Sequence, residues 1–544
     1  RRQRQMCIRD SQTTEQKTFE ALVIGAGFSG LYMLIKLREL GLKTRLLEAG
    51  DGIGGTWFWN RYPGARCDVE SMQYSYSFDD EMQNAWVWSE RYPSQKEILS
   101  YIQHVADRYE LHSDIQLKTK VVGARWDDKA QHWQVRTQQG DVFTTQFLIS
   151  AVGCLSSASI PNIEGLNHFS GRQLHTSQWP QEPVDLTGLR VGVIGTGSSG
   201  IQVIPQLAKQ AKELVVFQRT PNFSIPAWNR PLPVSEQDEW KRQYAQHRSQ
   251  ARTTRSGILY QYSQQGTFDV SEADRQAEYD RRWQRGGANF THAFNDVFTR
   301  REANDSLAEY VRQKIKEIVI DPKVAERLTP RDHAIGTKRI CVDTDYYATY
   351  NLSHVTLHDL RDDPLVAFQP HGLKTKRREY PLDAIVFATG FDAVTGSLER
   401  MGIHGQSDVS LKDSWQQGPR TLLGLMTAGF PNLFMITGPG SPSILTNVIV
   451  SIEQHVQWIA QCLSHMLAHG HRRIQAQAAA QDRWVQHVAD VAAKTLFTNT
   501  DSWYMGANVP GKPRVFLPYG GGFAQYDQIC REQAQQSYPD FDFA

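Results

Sequence analysis

Two glycine-rich stretches decide the fold class of this chain: Gly25-Ala-Gly27-Phe28-Ser29-Gly30 and Gly195-Thr196-Gly197-Ser198-Ser199-Gly200. Each stretch follows a short apolar run, at residues 21–24 and 191–194, and each precedes apolar residues at helical spacing. A strand, a glycine turn and a helix in this order are typical of dinucleotide-binding units, because glycine lets the backbone approach a pyrophosphate at the helix N-terminus. The two copies predict an α/β protein with two Rossmann-like dinucleotide-binding domains.

The residue that ends the second strand of each unit predicts which dinucleotide is bound. Glu48 ends the predicted strand 42–48, where a carboxylate accepts hydrogen bonds from the ribose hydroxyls of FAD or NAD. The corresponding position of the second unit lacks an acid and reads Phe217-Gln-Arg219-Thr220. Because a guanidinium binds a 2′-phosphate that a carboxylate would repel, the second site is predicted to prefer NADP. The alternative for the first motif is a glycine turn in an unrelated α/β unit. The alternative for Arg219 is an ordinary surface arginine after a strand.

Length and charge narrow the classes of function. A chain of 544 residues is too long for one core and suggests roughly three to four domain-sized units. A net charge of +1 gives no electrostatic footprint for nucleic acid. We find no apolar run long enough to span a bilayer, and the polar stretch 1–20 lacks the apolar core of a secretory signal. We therefore expect a cytoplasmic protein that binds neither nucleic acid nor membrane. Because no interface is evident in the sequence, we also expect a monomer.

The six cysteines are far apart and form no Cys-x-x-Cys pair, so the sequence suggests neither a metal site nor a redox dithiol. Reduced thiols are the expectation in a cytoplasm.

Further elements follow from the apolar periodicity. Helices are predicted from the glycine turns to Leu40 and to about Ala211, and also at 306–319 and 452–465. Strands are predicted at 117–122, 134–137, 147–152, 214–217 and 383–390, and residues 434–438 are predicted to close the first sheet.

The segment between the two glycine stretches narrows the chemistry. It reads Phe169-Ser-Gly171-Arg-Gln-Leu-His175-Thr-Ser-Gln-Trp179-Pro180 and resembles the signature of type I Baeyer–Villiger monooxygenases. The flavin-containing N-oxygenases are similar up to the histidine but usually lack the Trp-Pro pair. A second stretch, from Gly54 to Asp68, resembles another signature of the same family and has no cysteine pair that would accept electrons from flavin.

The resemblance covers residues 19–523 and is nearest to the phenylacetone, steroid and cyclohexanone monooxygenases. It implies a catalytic arginine at Arg339 and an aspartate, Asp68, that holds it. It also implies that Lys338 reaches the NADP 2′-phosphate with Arg219, and that Trp503 belongs to a loop that closes over nicotinamide. The alternatives are a plain surface pair for Lys338 and Arg339, and a solvated loop carboxylate for Asp68.

The resemblance and the glycine motifs together predict the following site residues and domains. The FAD site comprises Gly25, Gly27, Phe28, Ser29, Gly30, Glu48, Thr56, Trp57, Trp59, Asp68, Tyr74, Val121 and Val448. The NADP site comprises Arg66, Thr196, Gly197, Ser198, Ser199, Gly200, Gln202, Arg219, Thr220, Lys338, Arg339 and Trp503. Substrate is expected at Ser441, Ile444 and Leu445, while Phe169, Gly171, His175 and Trp179 are expected to pack and hydrogen-bond the linker. The domains are a flexible tail (1–18), an FAD-binding domain (19–154 and 383–544, with a mobile loop near 500–514), an NADP-binding domain (155–228 and 331–382) and a helical insertion (229–330).

The function implied by the resemblance is oxygenation of a ketone to an ester or lactone with NADPH, FAD and O2, through a C4a-peroxyflavin. Three other functions stay open at this point: an N- or S-oxygenating flavin monooxygenase, a flavin reductase or dehydrogenase, and a binding module without activity.

Overall fold

The computed structural model describes residues 17–544. The first part of the chain builds most of one sheet and the helices against it. Its elements are β1 (Lys17–Ile24), α1 (Phe28–Glu39), β2 (Thr44–Leu47), α2 (Thr56–Trp59), α3 (Asp80–Ala85), α4 (Gln95–Arg108), β3 (Ile115–Gln116), β4 (Val121–Asp127), β5 (His132–Thr137) and β6 (Val142–Ser150).

The middle of the chain builds a second αβ unit and then turns helical. Its elements are β7 (Arg172–His175), β8 (Arg190–Ile194), α5 (Ser198–Ala208), β9 (Glu213–Gln218), β10 (Ser224–Pro226), α6 (Val234–Lys241), α7 (Tyr244–Arg252), α8 (Glu272–Arg285), α9 (Arg301–Ile318) and α10 (Pro322–Leu328).

The last part returns to both sheets. Its strands are β11 (Cys341–Asp343), β12 (Val355–Asp359), β13 (Leu365–Gln369), β14 (Gly372–Thr375), β15 (Glu379–Pro381), β16 (Ala384–Phe387), β17 (Ile403–His404), β18 (Leu433–Met435), β19 (Ile474–Ala476) and β20 (Phe541–Phe543). Its helices are α11 (Tyr346–Thr349), α12 (Gly396–Arg400), α13 (Leu411–Ser414), α14 (Val448–His469), α15 (Ala478–Ala493) and α16 (Phe523–Gln535).

The two glycine stretches lie in two different sheets. The first sheet has the strand order β17-β4-β5-β6-β1-β2-β3, and β18 also pairs with β6. The second sheet has the order β12-β9-β8-β16-β7, with every pair parallel. In each sheet a helix connects the parallel strands that flank the glycine turn, α1 between β1 and β2 and α5 between β8 and β9. The prediction of two Rossmann-like units with a helical insertion is confirmed.

The structure corrects two strand predictions. The predicted strand 117–122 is wrong for residues 117–120, which lie between the end of β3 at Gln116 and the start of β4 at Val121. The apolar strand after residue 383 was assigned to the FAD-binding domain, but β16 pairs with β7 and β8 in the second sheet. All four residues of β16 are buried, as expected for a central parallel strand, and such an apolar run does not reveal which sheet contains it. The predicted return at 434–438 is confirmed, since β18 pairs with β6.

The insertion packs on both units. Tyr279, Trp283 and Leu307 belong to the core of the second sheet, whereas Tyr244 and Ile258 belong to the core around α1. The predicted helix 306–319 is confirmed in place but begins earlier, since α9 covers Arg301–Ile318.

The predicted tail of residues 1–18 lies outside the described residues up to residue 16, and residues 17 and 18 belong to β1. No helix within residues 17–544 is both long enough and apolar enough to cross a membrane.

The linker signature, residues 169–180, packs closely against its neighbours at Gly171. A Cβ atom at this position would lie 2.4 Å from Cζ of Phe169 and 2.5 Å from the carbonyl oxygen of Asp383. We expect Gly171→Ala to lower the free energy of unfolding by about 1–3 kcal/mol, because the core must shift to accept the methyl group. Urea unfolding measures the effect. Gly123→Ala is the control, since its Cβ would meet no atom closer than 3.5 Å, and equal stability of the two variants would contradict the packing argument.

Candidate functional site

The first glycine turn presents an uncapped helix end. Gly25 has a φ of 105°, a conformation that glycine adopts readily, and a Cβ at Gly30 would lie 1.8 Å from the Gly25 carbonyl oxygen. No side chain at the N-cap, Gly27, bonds to the first N–H groups of α1, which begins at Phe28 and Ser29. These N–H groups and the partial positive charge of the helix end are suited to a pyrophosphate. The turn therefore fits a dinucleotide such as FAD.

Glu48 is held in place beside this turn. Its Oε2 accepts a hydrogen bond from Ala26 N at 2.8 Å, and its Oε1 accepts one from Gly50 N at 2.7 Å. Burial raises the pKa of Glu48, and the backbone donors oppose this shift. A Cβ at Gly50 would lie 3.2 Å from Glu48 Oε1 and 3.0 Å from the Trp59 ring, so the acid and the indole line one corner. Each carboxylate oxygen keeps lone pairs for ribose hydroxyls.

The segment after β2 packs on the same turn. A Cβ at Gly55 would lie 2.9 Å from Gly27 Cα, so α2 with Thr56 and Trp57 lies against the glycine motif. The indole N–H of Trp57 donates to the hydroxyl of the buried Tyr74 at 3.2 Å. Two further predicted FAD residues lie at the start of an element. Val121 begins β4 and is buried, and Val448 begins α14.

The second glycine turn is built in the same way and is more open. Gly197 is the N-cap of α5 without a side-chain hydrogen bond, and a Cβ placed there would meet no atom within 4 Å. The hydroxyl of Thr196 donates to the carbonyl of Thr220 at 3.0 Å, which ties the turn to the end of β9. The hydroxyl of Ser198, the first residue of α5, lies 3.3 Å from Cys341 Sγ.

Two cations stand together next to this turn. Arg219 is exposed directly after β9, and Lys338 is half-buried on the chain before β11. Burial lowers the pKa of Lys338, the charge of Asp332 opposes this, and the charge of Arg219 lowers it further. Among residues 17–544, no carboxylate lies within 4 Å of either cation. A phosphate group placed between them would relieve their repulsion.

The loop after α2 connects the two nucleotide units. Gln202 of α5 accepts a hydrogen bond from the Tyr62 hydroxyl at 2.8 Å, and its amide donates to the Arg66 carbonyl at 3.1 Å. Only the backbone of Arg66 takes part in this contact, since its side chain pairs with Glu90 at 2.5 Å. Burial raises the pKa of Tyr62, and the neighbouring Ser199 of α5 opposes the shift. The FAD-side loop and the NADP-side helix are therefore in direct contact.

A bidentate ion pair lies between the two units. Arg339 Nε and Nη2 donate to the two carboxylate oxygens of Asp68 at 2.7 and 2.8 Å, and Nη1 donates to the Ile444 carbonyl at 3.0 Å. The charge of Asp68 raises the pKa of Arg339, while burial opposes the shift. Burial alone would raise the pKa of Asp68, but the charge and hydrogen bonds of Arg339 outweigh it and lower that pKa. Both groups stay ionised, and about a third of the Arg339 side chain remains accessible.

The ion pair faces a cavity with mostly apolar and aromatic walls. Ile444 and Leu445 line it, as the sequence predicted for a substrate-side loop. Ser441 does not line the cavity: it is buried behind the loop and donates to the Gly438 carbonyl at 2.7 Å. The sequence reasoning missed several lining residues, which come from the insertion and from distant loops: Arg255, Tyr260, His292, Phe298, Phe497 and Tyr504. Aromatic residues in the charged insertion could have indicated a cavity wall. Their helical spacing, however, does not show which of them face a cavity.

The segment predicted as a mobile loop is bonded to the chain that follows β16. Lys512 Nζ pairs with Asp392 Oδ1 at 2.7 Å, and the Asn508 amide donates to the Phe391 carbonyl at 2.6 Å. Trp503 packs on Tyr504 with ring centroids 4.4 Å apart, and Tyr504 lines the cavity. The segment therefore reaches the cavity wall through Tyr504.

The linker signature consists of interior residues. Phe169 and Trp179 are buried in two hydrophobic clusters of the second unit. His175 Nδ1 accepts hydrogen bonds from Ser177 N at 3.1 Å and from the Ser177 hydroxyl at 2.7 Å. Burial lowers the pKa of His175, so the ring is neutral at neutral pH. These contacts match the expectation of a packing role.

Comparison with known proteins identifies the family. Over 97% of its length, and 97% of the relative, the chain is 41% identical to a Baeyer–Villiger monooxygenase of Pseudooceanicola batsensis. The chain belongs to the Baeyer–Villiger monooxygenase family. Residues 22–245 also match the family model for pyridine nucleotide-disulphide oxidoreductases. A phenazine N-monooxygenase of Lysobacter antibioticus is equally similar, with 41% identity over 96% of each chain.

Solved structures of this monooxygenase family agree with the fold. An oxidised steroid monooxygenase bound to NADP has a TM-score of 0.93 and 46% identity, covering 97% of this chain and 99% of its own. A structure described as OTEMO in complex with FAD and NADP has a TM-score of 0.94 and 38% identity, covering 97% and 100%. The prediction of a type I Baeyer–Villiger monooxygenase is confirmed.

The buried Lys512–Asp392 pair generates a prediction about the loop. We expect Lys512→Met to free residues 500–514, because the pair and the Lys512 bond to the Ala393 carbonyl are both lost. Hydrogen exchange in this segment should accelerate about tenfold or more, while the sheets stay protected. Lys494→Met removes an exposed lysine as the control. Unchanged exchange in 500–514 would show that other contacts hold the loop.

Proposed function

We propose that this enzyme uses NADPH and O2 to convert ketones to esters or lactones, with FAD bound at the first glycine turn and NADP at the second. One observation carries the proposal: a fixed guanidinium, Arg339, lies between the two nucleotide sites and faces an apolar cavity. The substrate class of the family fits such a cavity, because a ketone has one polar atom to satisfy. Family membership supports the cofactors, and the uncapped ends of α1 and α5 fit their pyrophosphates.

Arg339 supplies the charge that the reaction needs. The bound flavin, once reduced by NADPH, supplies activated oxygen for insertion next to the carbonyl carbon. The nucleophile and the tetrahedral adduct are both negatively charged, and an arginine that is always protonated stabilises both without having to reorganise. Asp68 fixes the guanidinium by two hydrogen bonds and prevents an unpaired buried cation. The Ile444 carbonyl aligns the remaining nitrogen with the substrate loop.

The cation pair beside the second turn supports a preference for NADPH. Arg219 and Lys338 come from different elements and converge where a 2′-phosphate of the bound nucleotide would lie. Thr196, through its bond to Thr220, holds the end of β9 in register with the glycine turn.

The comparisons do not favour oxygenation of nitrogen, although one similar protein is a phenazine N-monooxygenase, so N-oxygenation serves as the competing outcome of the test. Both reactions use the same cofactors, and only product analysis separates them. The decisive experiment supplies NADPH and O2 with a panel of linear, cyclic, aryl and steroidal ketones and with heteroaromatic amines. Mass spectrometry should find esters or lactones, each one oxygen heavier than its ketone. N-oxides without any ester would establish N-oxygenation instead.

The role of Arg339 yields a direct prediction. We expect Arg339→Ala to bind FAD and to accept hydride from NADPH, but to form ester at least about a hundredfold more slowly. The reason is that only the oxygenation steps develop negative charge beside the guanidinium. Stopped-flow flavin reduction and product formation separate the two stages. Arg331→Ala removes an exposed arginine of the same segment as the control, and ester formation near the original rate in Arg339→Ala would refute the assignment.

The predicted preference for NADPH can be tested at Arg219. We expect Arg219→Ala to raise the KM for NADPH about tenfold or more and to change the KM for NADH little, because one charge-assisted contact is worth roughly 1.5–3 kcal/mol. Steady-state kinetics with both nucleotides measures the split. Lys209→Ala, at the exposed C-terminal end of α5, is the matched control. Equal use of NADH and NADPH by the unaltered enzyme would contradict the reading of this site.

We further propose that the enzyme acts as a monomer in the cytoplasm, without nucleic acid as a partner. The net charge of +1 supports the absence of a nucleic-acid partner, and the dispersed cysteines are consistent with a reducing cytoplasm. Light scattering after size-exclusion chromatography tests the oligomeric state.

A further inference from the structure

The cavity beside Arg339 holds a second guanidinium that the reaction described above does not use. Arg255 lies after α7 in the insertion and lines the same cavity as Asp68 and Arg339. The charge of Arg339 is matched by Asp68, but no carboxylate within residues 17–544 lies within 4 Å of Arg255. The ionised side chains of the lining, two arginines and one aspartate, therefore leave the cavity with one excess positive charge.

The protein satisfies little of the hydrogen-bonding capacity of Arg255. Its Nη2 donates to the Gly520 carbonyl at 3.2 Å, whereas a guanidinium has five N–H donors. Arg255 is exposed and lines the cavity, and desolvation by the protein around it lowers its pKa. An arginine stays charged under such conditions, so its environment favours an anion that has yet to bind.

The neighbours of Arg255 do not balance its charge. His292 packs against the rings of both Tyr260 and Tyr262, at centroid distances of 5.0 and 4.9 Å. Burial and the positive charge of Arg255 lower the pKa of His292 to about 3, so the imidazole is neutral. The Tyr262 hydroxyl is engaged with the Ser256 hydroxyl. This wall of the cavity is therefore aromatic and uncharged apart from the guanidinium.

A run of glycines makes room for the arginine. Gly520 and Gly522 line the cavity, and a Cβ at Gly522 would lie 2.8 Å from Arg255 Cγ. The backbone N–H of Phe523 donates to the Arg255 carbonyl at 2.8 Å, which fixes the start of the side chain. The fold thus positions a cation in the cavity where bulkier neighbours would displace it.

We propose that Arg255 is a specificity-determining residue that binds a carboxylate on the ketone substrate, so that the preferred substrates are keto acids. The inference rests on the proposed ketone oxygenation and names its substrate class. A carboxylate would neutralise the excess charge and use donors that a neutral ketone leaves unpaired. Such a charge-assisted contact is stronger than a hydrogen bond between neutral groups.

The experiment compares methyl-ketone carboxylates of increasing chain length, starting from levulinate, each with its methyl ester. The holoenzyme with NADPH and O2 gives kcat/KM for both members of each pair. Perturbation of the flavin absorbance by each compound, with NADP⁺ bound, reports binding independently of turnover. The variants are Arg255→Gln, Arg255→Lys and, as a control for loss of an exposed insertion arginine, Arg242→Gln.

We expect at least one keto acid to be preferred over its ester about tenfold or more. Arg255→Gln should reduce this ratio at least tenfold, Arg255→Lys should retain part of it, and Arg242→Gln should leave it unchanged. No preference in the unaltered enzyme, or an equal loss for acid and ester in Arg255→Gln, would overturn the inference and leave a merely structural arginine.

The two proposals fail in distinguishable ways. Oxygenated esters without carboxylate preference would refute the role of Arg255 alone. Arg255-dependent binding of keto acids without any oxygenated product would support that role and refute the proposed reaction.

Discussion

The ion pair between Arg339 and Asp68 is the interaction on which the site depends. Its partners are 271 residues apart and come from the loop after α2 and from the chain before β11. Bringing two charges out of water costs free energy, and the bidentate geometry with its third bond to Ile444 offsets that cost. The pair joins two distant parts of the chain, and the third bond of Arg339 adds the substrate loop to the same contact. The contacts of Gln202 with Tyr62 and Arg66 hold the two units in that arrangement.

Positive charge is distributed in the molecule according to what it has to bind. Arg339 has a carboxylate partner and so is fixed before any substrate arrives. Arg219 and Lys338 have none within 4 Å among the described residues, and their mutual repulsion favours a phosphate between them. His175 and His292 are neutral because burial lowers their pKa values, so neither provides a mobile proton near neutral pH. The site therefore works with permanent charges, which suits the stabilisation of an anion in an enclosed cavity.

The sequence predicted what local patterns encode. Glycine turns after apolar runs predict both nucleotide units, and the contrast between Glu48 and Arg219 predicts which dinucleotide each unit binds. The pairing of Asp68 with Arg339 followed from the resemblance, since no periodicity links residues so far apart. Burial made β16 recognisable as a strand but not as part of the second sheet. Ser441 shares a loop with Ile444, yet its side chain is directed behind that loop. Arg255 and His292 belong to an insertion whose helical pattern indicates an amphipathic surface and not a cavity wall.

We infer that Asp68 acts on oxygenation only by holding Arg339. A double-mutant cycle of Asp68→Ala, Arg339→Ala and the double variant tests it, with the rate of ester formation as the measured quantity. We expect the double variant to be no slower than Arg339→Ala alone, because the aspartate then has no guanidinium to position. Rate losses that multiply would contradict it, since they would mean that the two residues act independently.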